Sequence, residues 1–166
     1  VCTRDRPGHL LRCLEALQAL PDDGQELLVV DSASSSGETR RVVERFQEAR
    51  YLRLERPGLN VARNMALRTS TGEIVAFMDD DARADPGWLR GLLEAFQHPL
   101  TMVATGITLP VELEVEAQEQ CESFRSFSRG FLPRTFSHAN THPLAAGNVG
   151  AGVNMALRRD VIARVG

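Results

Sequence analysis

The sequence has no lysine and no apolar run long enough to cross a membrane. Its 19 lysine-or-arginine positions are all arginine and stand against 22 acidic residues, so the net charge of -3 argues against general binding of nucleic acid. A membrane-spanning helix needs about 18 consecutive apolar residues, and the sequence contains neither such a run nor a charged-then-apolar signal segment. These absences predict a cytoplasmic protein, with association at the membrane surface left open for a longer parent.

Cysteine is scarce, and the three residues Cys2, Cys13 and Cys121 form no C-x-x-C pair. Three thiols cannot all pair with one another, so the sequence predicts neither a disulfide framework nor a zinc site. We expect free thiols in a reducing compartment. His138 and His142 also lack the spacing of metal ligands, and we interpret them as loop residues.

The length and composition are those of one globular α/β domain. A chain of 166 residues with 43% hydrophobic and 25% charged residues can bury one core and is too short for two domains. Short apolar runs alternate with helical patterns, which predicts the order βαβαβαβαβ and a right-handed, largely parallel sheet covered by helices on both faces. The predicted strands end at Thr3 or span Leu27–Val30, Tyr51–Leu54, Ile74–Met78 and about Met102–Ile107.

The run Ile74–Met78 ends abruptly in three carboxylates, Asp79, Asp80 and Asp81. About four to eight apolar residues closed by polar ones predict a buried parallel strand, and ligands bind just past the carboxyl ends of such strands. Alternation along an extended chain would direct Asp79 and Asp81 to one side and Asp80 to the other. Two carboxylates one residue apart suit Mg²⁺ or Mn²⁺ shared with substrate phosphates. A solvated acidic turn before the next helix explains the triplet equally well.

The pattern changes after Pro110. Glutamates recur from Glu112 to Glu122 and predict a surface helix with a solvated acidic face. Phenylalanines interleaved with arginines follow, and we interpret them as packing this segment back onto the sheet. They are Phe124, Phe127, Phe131 and Phe136. The chain closes with a glycine-rich turn, Gly150–Gly152, that leads into an apolar stretch and a helix start.

Five motifs follow one another along the chain: Cys2–Pro7, Val29–Ser34, Gly58–Asn64, Thr71–Asp81 and Gly152–Arg159. In this order and spacing, they give the chain a resemblance to the family-2 glycosyltransferases of the GT-A fold. The resemblance implies a Rossmann-like three-layer α/β/α sandwich with a mostly parallel central sheet. It also implies a single domain over residues 1–166 that is incomplete at both ends. Residues 1–110 would be the nucleotide-sugar-binding half, and residues 111–166 would begin the acceptor-side half.

The resemblance implies a role for each matching polar residue. Thr3, at the end of the first strand, and Arg4, in the loop after it, would contact the donor nucleotide, and Asp31 would accept a base N–H. A cap on the serine-rich loop is a second reading of Asp31. The other implied roles are Arg63 on the base or diphosphate, Asp79 on the ribose or the metal, Asp80 on the nucleotide, Asp81 on the metal, and Gly152 and Asn154 on the acceptor side. Arg63 could instead be an arginine on the surface of a helix. Gly152 and Asn154 could instead belong to a tight turn that needs small residues or residues that tolerate a left-handed backbone.

The implied chemistry is metal-dependent sugar transfer. Negative charge develops on the departing diphosphate, and Mn²⁺ or Mg²⁺ would meet it as a Lewis acid. Inverting transfer also needs a carboxylate base, which the resemblance places beyond Gly166. The expected donors are uridine diphosphate sugars first and guanosine or thymidine diphosphate sugars next, and the expected acceptor is a saccharide or a lipid-linked molecule.

Two other classes of protein remain open on sequence grounds. A non-catalytic sugar-nucleotide-binding module would need no base. A Mg²⁺-dependent phosphatase also carries D-x-D after an apolar strand and uses the first Asp as nucleophile. That motif normally opens its fold, whereas here three β-α units precede Asp79, and no lysine is present to serve as the later cation.

Overall fold

A computed structural model describes residues 1–125, 132–142 and 148–165 of the chain. The described part contains six strands and six helices. In chain order they are β1 Cys2–Thr3, α1 Pro7–Gln18, β2 Leu27–Asp31, α2 Glu38–Val43, β3 Ala49–Arg53, α3 Leu59–Thr69, β4 Ile74–Met78, α4 Trp88–Ala95, β5 Val103–Thr105, α5 Glu116–Arg125, β6 Asn154–Arg158 and α6 Val161–Val165.

The strands follow one another across the fold in the order β3-β2-β1-β4-β6-β5. β1, β2 and β3 pair in parallel, and β6 pairs antiparallel with both β4 and β5. A single parallel bridge between Cys2 and Asp79 links β1 to β4. Five of the described strands therefore run in one direction and only β6 is reversed, which confirms the mostly parallel sheet.

Helices cover both faces of the sheet, as the alternation of side chains along the strands requires. In β2, Leu28 and Val30 pack toward α3, whereas Val29 between them packs toward α1 and α2. In β4, Phe77 faces α3 and Ala76 faces α4. The three-layer α/β/α arrangement predicted above is therefore present, with α3 on one face and α1, α2 and α4 on the other.

The structure differs from the predicted elements in two places. β6 occupies the apolar stretch after Gly152 that the pattern did not identify as a strand. The acidic helix is present as α5, but Phe124 at its end is 86% exposed and does not pack onto the sheet. Phe127 and Phe131 lie outside the described residues, and Phe136 is half-buried. Within the described ranges, no helix is both long and apolar enough to cross a membrane.

Candidate functional site

A cavity of about 620 Å³ lies at the carboxyl ends of β1, β2 and β4. Its walls come from the loops after these strands and from the start of α3. The lining residues are Cys2, Thr3, Arg4, Arg6, Ser32, Pro57, Gly58, Leu59, Asp79, Asp80 and Asp81. A larger cavity of about 960 Å³ lies toward the amino ends of the strands, away from this triplet. Because open α/β sheets bind ligands at the carboxyl ends of their strands, the smaller cavity is the candidate site.

The three carboxylates lie on a tight turn rather than on a continuing strand. The carbonyl of Asp79 accepts a hydrogen bond of 3.1 Å from the amide of Ala82, so the chain reverses as soon as β4 ends. The chain is therefore not extended through Asp81, although Asp79 and Asp81 are half-exposed and Asp80 between them is buried, as the alternation predicts. Asp80 and Asp81 both contact Arg6, whereas Asp79 contacts Arg63.

Asp80 is the anchored member of the triplet. Thr3 donates its hydroxyl to Oδ2 of Asp80 at 2.6 Å, and Arg6 donates Nη1 to Oδ1 at 3.2 Å. The same Arg6 nitrogen lies 3.2 Å from Oδ2 of Asp81. The side chain of Asp80 is 7% exposed and that of Asp81 is 50% exposed. Asp80 thus ties β4 to the loop after β1, while Asp81 keeps an open face.

Asp79 meets the second half of the chain through Arg63. Nη2 of Arg63 is 3.4 Å from Oδ1 of Asp79 and donates to the carbonyl of Gly152 at 3.3 Å. A Cβ atom at Gly152 would lie 2.9–3.2 Å from the guanidinium, so only glycine permits this approach. Burial raises the pKa of Asp79, the Arg63 charge lowers it, and the charges of Asp81 and Asp80 raise it further.

Asp31 is fully buried at the end of β2 and does not line the cavity. Its Oδ1 accepts from the amide of Ser34 at 2.8 Å, and its Oδ2 accepts from the hydroxyl of Tyr51 at 2.6 Å and from Arg53 at 3.3 Å. This matches the reading of Asp31 as a loop cap, and a contact of Asp31 with a nucleobase stays a prediction. Burial and the hydrogen bond to Asp31 raise the pKa of Tyr51.

Ser32, the residue after Asp31, lines the cavity, and the sequence patterns did not identify it as a site residue. Its hydroxyl accepts from the amide of Gly58 at 2.8 Å and so fixes the start of α3 against the loop. Its position in the Val29–Ser34 motif was visible in the sequence. Which of two neighbouring residues faces the cavity depends on the turn of the loop, and periodicity does not predict that.

The loops after β1 and β2 brace each other in strained conformations. Asp5 and Ala33 both have left-handed φ angles, 54° and 59°. Asp5 accepts from the amide of Ser35 at 2.6 Å and from its hydroxyl at 2.8 Å, and its own amide donates to the Ser34 hydroxyl at 2.9 Å. A left-handed non-glycine residue costs about 1–2 kcal/mol, so these bonds hold the loops in a shape that neither would keep alone.

Arg4 and Asn154 occupy different surroundings. Arg4 lines the cavity, is largely exposed, and lies 3.6 Å from the carboxylate of Asp5. Asn154 is buried, accepts from the indole N–H of Trp88 at 2.8 Å and donates to the carbonyl of Ile107 at 2.8 Å. The structure therefore uses Asn154 to join β6 to α4 and to the segment after β5. A role on the acceptor side remains a prediction for Gly152 and Asn154.

The acidic residues fit a metal ion that arrives with a phosphate ligand. Among the described residues, no group of three or more histidine, cysteine, aspartate or glutamate side chains could hold an ion by itself. Asp79 and Asp81 are the half-exposed members of the triplet and can still donate oxygen atoms. Mg²⁺ and Mn²⁺ are commonly held by about one or two carboxylates together with substrate phosphates and water. This donor set suits such an arrangement.

Comparison with known proteins gives a consistent picture. The family model described as Glycosyl transferase family 2 matches residues 1–166. Glycosyltransferase AglE of Haloferax volcanii is 28% identical over 167 aligned positions, which cover 95% of this chain and 51% of the relative. A glucosyl-dolichyl phosphate glucuronosyltransferase of the same organism is 27% identical over 100% of this chain and 53% of its own length. The chain thus spans about half the length of these curated relatives.

The fold is also that of solved GT-A enzymes. Mannosyltransferase PcManGT from Pyrobaculum calidifontis, in complex with GDP-Man and Mn²⁺, superposes with a TM-score of 0.70 at 23% identity. The superposition covers 99% of this chain and 45% of that one. Because the family match extends over the whole sequence, this chain belongs to glycosyl transferase family 2.

Proposed function

We propose that the 620 Å³ cavity binds a nucleoside diphosphate sugar together with Mn²⁺ or Mg²⁺, and that the full protein transfers the sugar to a saccharide or lipid-linked acceptor. One observation carries the proposal: the Asp79–Asp81 turn lies beside exposed guanidinium groups at the carboxyl end of a parallel sheet. Carboxylates for a cation and arginines for phosphates are the groups that a diphosphate and its metal require.

We assign the roles of the site residues from their exposure. Asp81, whose side chain is half-exposed, would hold the metal, with Asp79 as the second candidate ligand. Asp80 is held by Thr3 and would fix the turn and touch the nucleotide. Arg4 and Arg63 would face the nucleotide and its phosphates. When bound, the divalent cation supplies the positive charge that stabilises the departing diphosphate.

The neighbouring proteins support the donor class and leave its base open. PcManGT was solved with GDP-Man and Mn²⁺, and one relative is named a glucosyl-dolichyl phosphate glucuronosyltransferase. We propose uridine diphosphate sugars as the first donors to test and guanosine or thymidine diphosphate sugars as the next. Within the described part of the chain, the residues that line the cavity all lie between Cys2 and Asp81. This supports residues 1–110 as the donor half and residues 111–166 as the start of the acceptor-side half.

Inverting transfer requires a carboxylate base on the face of the sugar opposite the diphosphate. The residues proposed above bind the donor and its metal and supply no such base, so donor binding and sugar transfer are tested separately. Turnover of a panel of sugar nucleotides by a full-length parent would separate a transferase from a non-catalytic binding module. Failure of every donor would favour the binding module.

Calorimetric titration tests donor binding directly. Uridine, guanosine and thymidine diphosphates are each titrated with Mn²⁺ and with the metal chelated. We expect metal-dependent binding of at least one, reduced about tenfold or more by Asp81→Asn, because a lost ligand to a bound ion costs that much or more. The matched control is Asp23→Asn, an exposed acid at the opposite end of the strands, which should bind like the unmodified chain. Binding that ignores both the chelator and Asp81→Asn would overturn the metal role.

A further inference from the structure

Among the residues that the structure describes, Arg6 is the one cation that contacts two members of the acidic triplet, and neither the patterns nor the resemblance gave it a role. We propose that Arg6 is a resident counter-charge for Asp80 and Asp81 that yields Asp81 to the divalent cation and then pairs with the donor diphosphate. The proposal rests on the donor site proposed above. It makes Arg6 a positioning residue whose charge opposes binding of the metal alone and favours binding of the metal with nucleotide.

The residues before and after Arg6 fix the position of its backbone, and this restricts where its side chain can reach. Arg6 is the residue before α1, and its carbonyl accepts from the amide of Leu10 at 3.0 Å. Pro7 follows at the first helical position, where its fixed φ suits a helix start. Asp5 precedes it and is bonded to Ser34 and Ser35 across the site. The guanidinium therefore reaches the acidic turn from a braced loop.

The two ion pairs of Arg6 are unequal. Asp80 is buried and keeps the hydroxyl of Thr3 as a second partner, whereas Asp81 is half-exposed. Both contacts use the single nitrogen Nη1, which lies 3.2 Å from an oxygen of each carboxylate and is therefore shared between them. A shared contact to an exposed carboxylate is weak, and it is the contact that can be given up.

A divalent cation on Asp81 and the guanidinium of Arg6 would compete for the same carboxylate. Like charges a few ångströms apart repel, so the bare ion must displace Arg6 from Asp81. A diphosphate reverses the balance because it offers the displaced guanidinium new oxygen partners, which arginine binds in paired geometry. Arg6 lines the same cavity and lies within reach of such a ligand. The sign of its effect therefore depends on whether nucleotide is present.

The test measures Mn²⁺ binding by electron paramagnetic resonance of the free ion, without nucleotide and then with saturating uridine or guanosine diphosphate, whichever binds. We expect Arg6→Ala to bind Mn²⁺ alone about two- to fivefold more tightly, because an exposed competing ion pair is lost. The same variant should bind the nucleotide with Mn²⁺ about tenfold more weakly, because charge-assisted bonds to phosphate are lost.

Two further variants make the result decisive. Arg6→Lys keeps the charge but loses the planar guanidinium. Its affinity for Mn²⁺ alone should be close to that of the unmodified chain. Its affinity for the nucleotide should lie between those of the unmodified chain and of Arg6→Ala. Arg12→Ala removes an exposed arginine of α1 that contacts His9 and should change neither affinity. Circular dichroism confirms that each variant is folded.

Opposite signs for the two affinities in Arg6→Ala support the proposal. If both affinities weaken, Arg6 only stabilises the loop. If neither affinity changes, Arg6 neither competes with the metal nor binds the diphosphate. Either result overturns the proposal. Absence of nucleotide binding by the unmodified, folded chain would overturn the proposed function itself, whatever the variants do with Mn²⁺ alone.

Discussion

At the scale of single residues, Gly152 and Arg63 show how the second half of the chain contacts the candidate donor site. The guanidinium of Arg63 lies against the backbone of Gly152 and beside Asp79, in space that a Cβ atom would fill. The obstructing group is the far end of a flexible side chain, so the chain can accommodate a methyl group by moving Arg63. The cost of a substitution should then appear in ligand binding more than in stability.

Gly152→Ala is therefore expected to change the free energy of unfolding by less than about 1 kcal/mol and to weaken nucleotide binding about as much as Arg63→Ala does. The double variant should be no weaker than Arg63→Ala, because both changes remove the same contact. Chemical denaturation and calorimetry measure the two effects. Additive losses in the double variant would show that Gly152 acts on something other than Arg63.

Gly91 provides the matched control on α4, where a new Cβ would meet nothing within 4 Å. Gly91→Ala should leave nucleotide binding unchanged and raise the free energy of unfolding by about 0.5–1 kcal/mol, since alanine is favoured over glycine inside a helix. A loss of stability there would indicate a contact that the structure does not show.

At the scale of elements, the two loops that frame the cavity depend on each other through Asp5. Hydrogen bonds from the amide and then the hydroxyl of Ser35 hold the pKa of Asp5 below its ordinary value of 3.8. A carboxylate whose pKa is lowered in the folded state contributes stability that is fully present above its unfolded pKa and is lost as the pH falls through the folded one. The contact between the loops after β1 and β2 is thus weakened by acid.

Asp5→Asn tests this dependence without disturbing the backbone, because asparagine also tolerates the left-handed conformation. We expect the variant to be less stable than the unmodified chain near pH 6. The difference should shrink as the pH falls below 3.8 and the carboxylate of the unmodified chain becomes protonated. Unfolding free energies measured across this range provide the comparison. A difference that does not change with pH would assign the effect to geometry rather than charge.

The elements also show which features a sequence can predict. Most of the helices and parallel strands were predictable because they bury a regular apolar face, as β2 does with Val29 on one side and Leu28 and Val30 on the other. β6 was not predicted, because it is a short apolar stretch after a glycine-rich turn, a pattern that a helix start also fits. The contact of Asp80 with Thr3 and the burial of Asp31 beside Tyr51 depend on partners distant in the chain, which periodicity does not encode.

At the scale of the whole molecule, the sheet joins its two halves through little backbone pairing near the site. β1 and β4 share the Cys2–Asp79 bridge, and side chains supply further links across this line. Thr3 and Arg6 bond to Asp80 from the β1 side, and the thiol of Cys13 lies 3.6 Å from the carbonyl of Asp79. The candidate site thus lies at the seam between β1 and β4, where the two halves of the sheet meet. The reactivity of the Cys13 thiol at this seam can show whether the two halves stay together.

Thiol accessibility should therefore distinguish the native molecule from an opened one. Cys13 is buried, and burial raises its pKa to about 11, whereas Cys121 lies exposed on α5. At about pH 8 a thiol reagent should modify Cys121 first, because it attacks exposed thiolates, and should reach Cys13 only after unfolding. Burial also raises the pKa of the half-buried Cys2, which should react at an intermediate rate.

The control is Cys121→Ser, which should remove the fast phase and leave the slow one unchanged. The slow phase, followed by mass spectrometry of Cys13, should accelerate with denaturant in step with global unfolding if the seam opens only when the whole fold does. Rapid modification of Cys13 under native conditions would instead show that α1 separates from β4 locally. The site would then open without unfolding, and Arg6 at the start of α1 would move away from Asp80 in the same step.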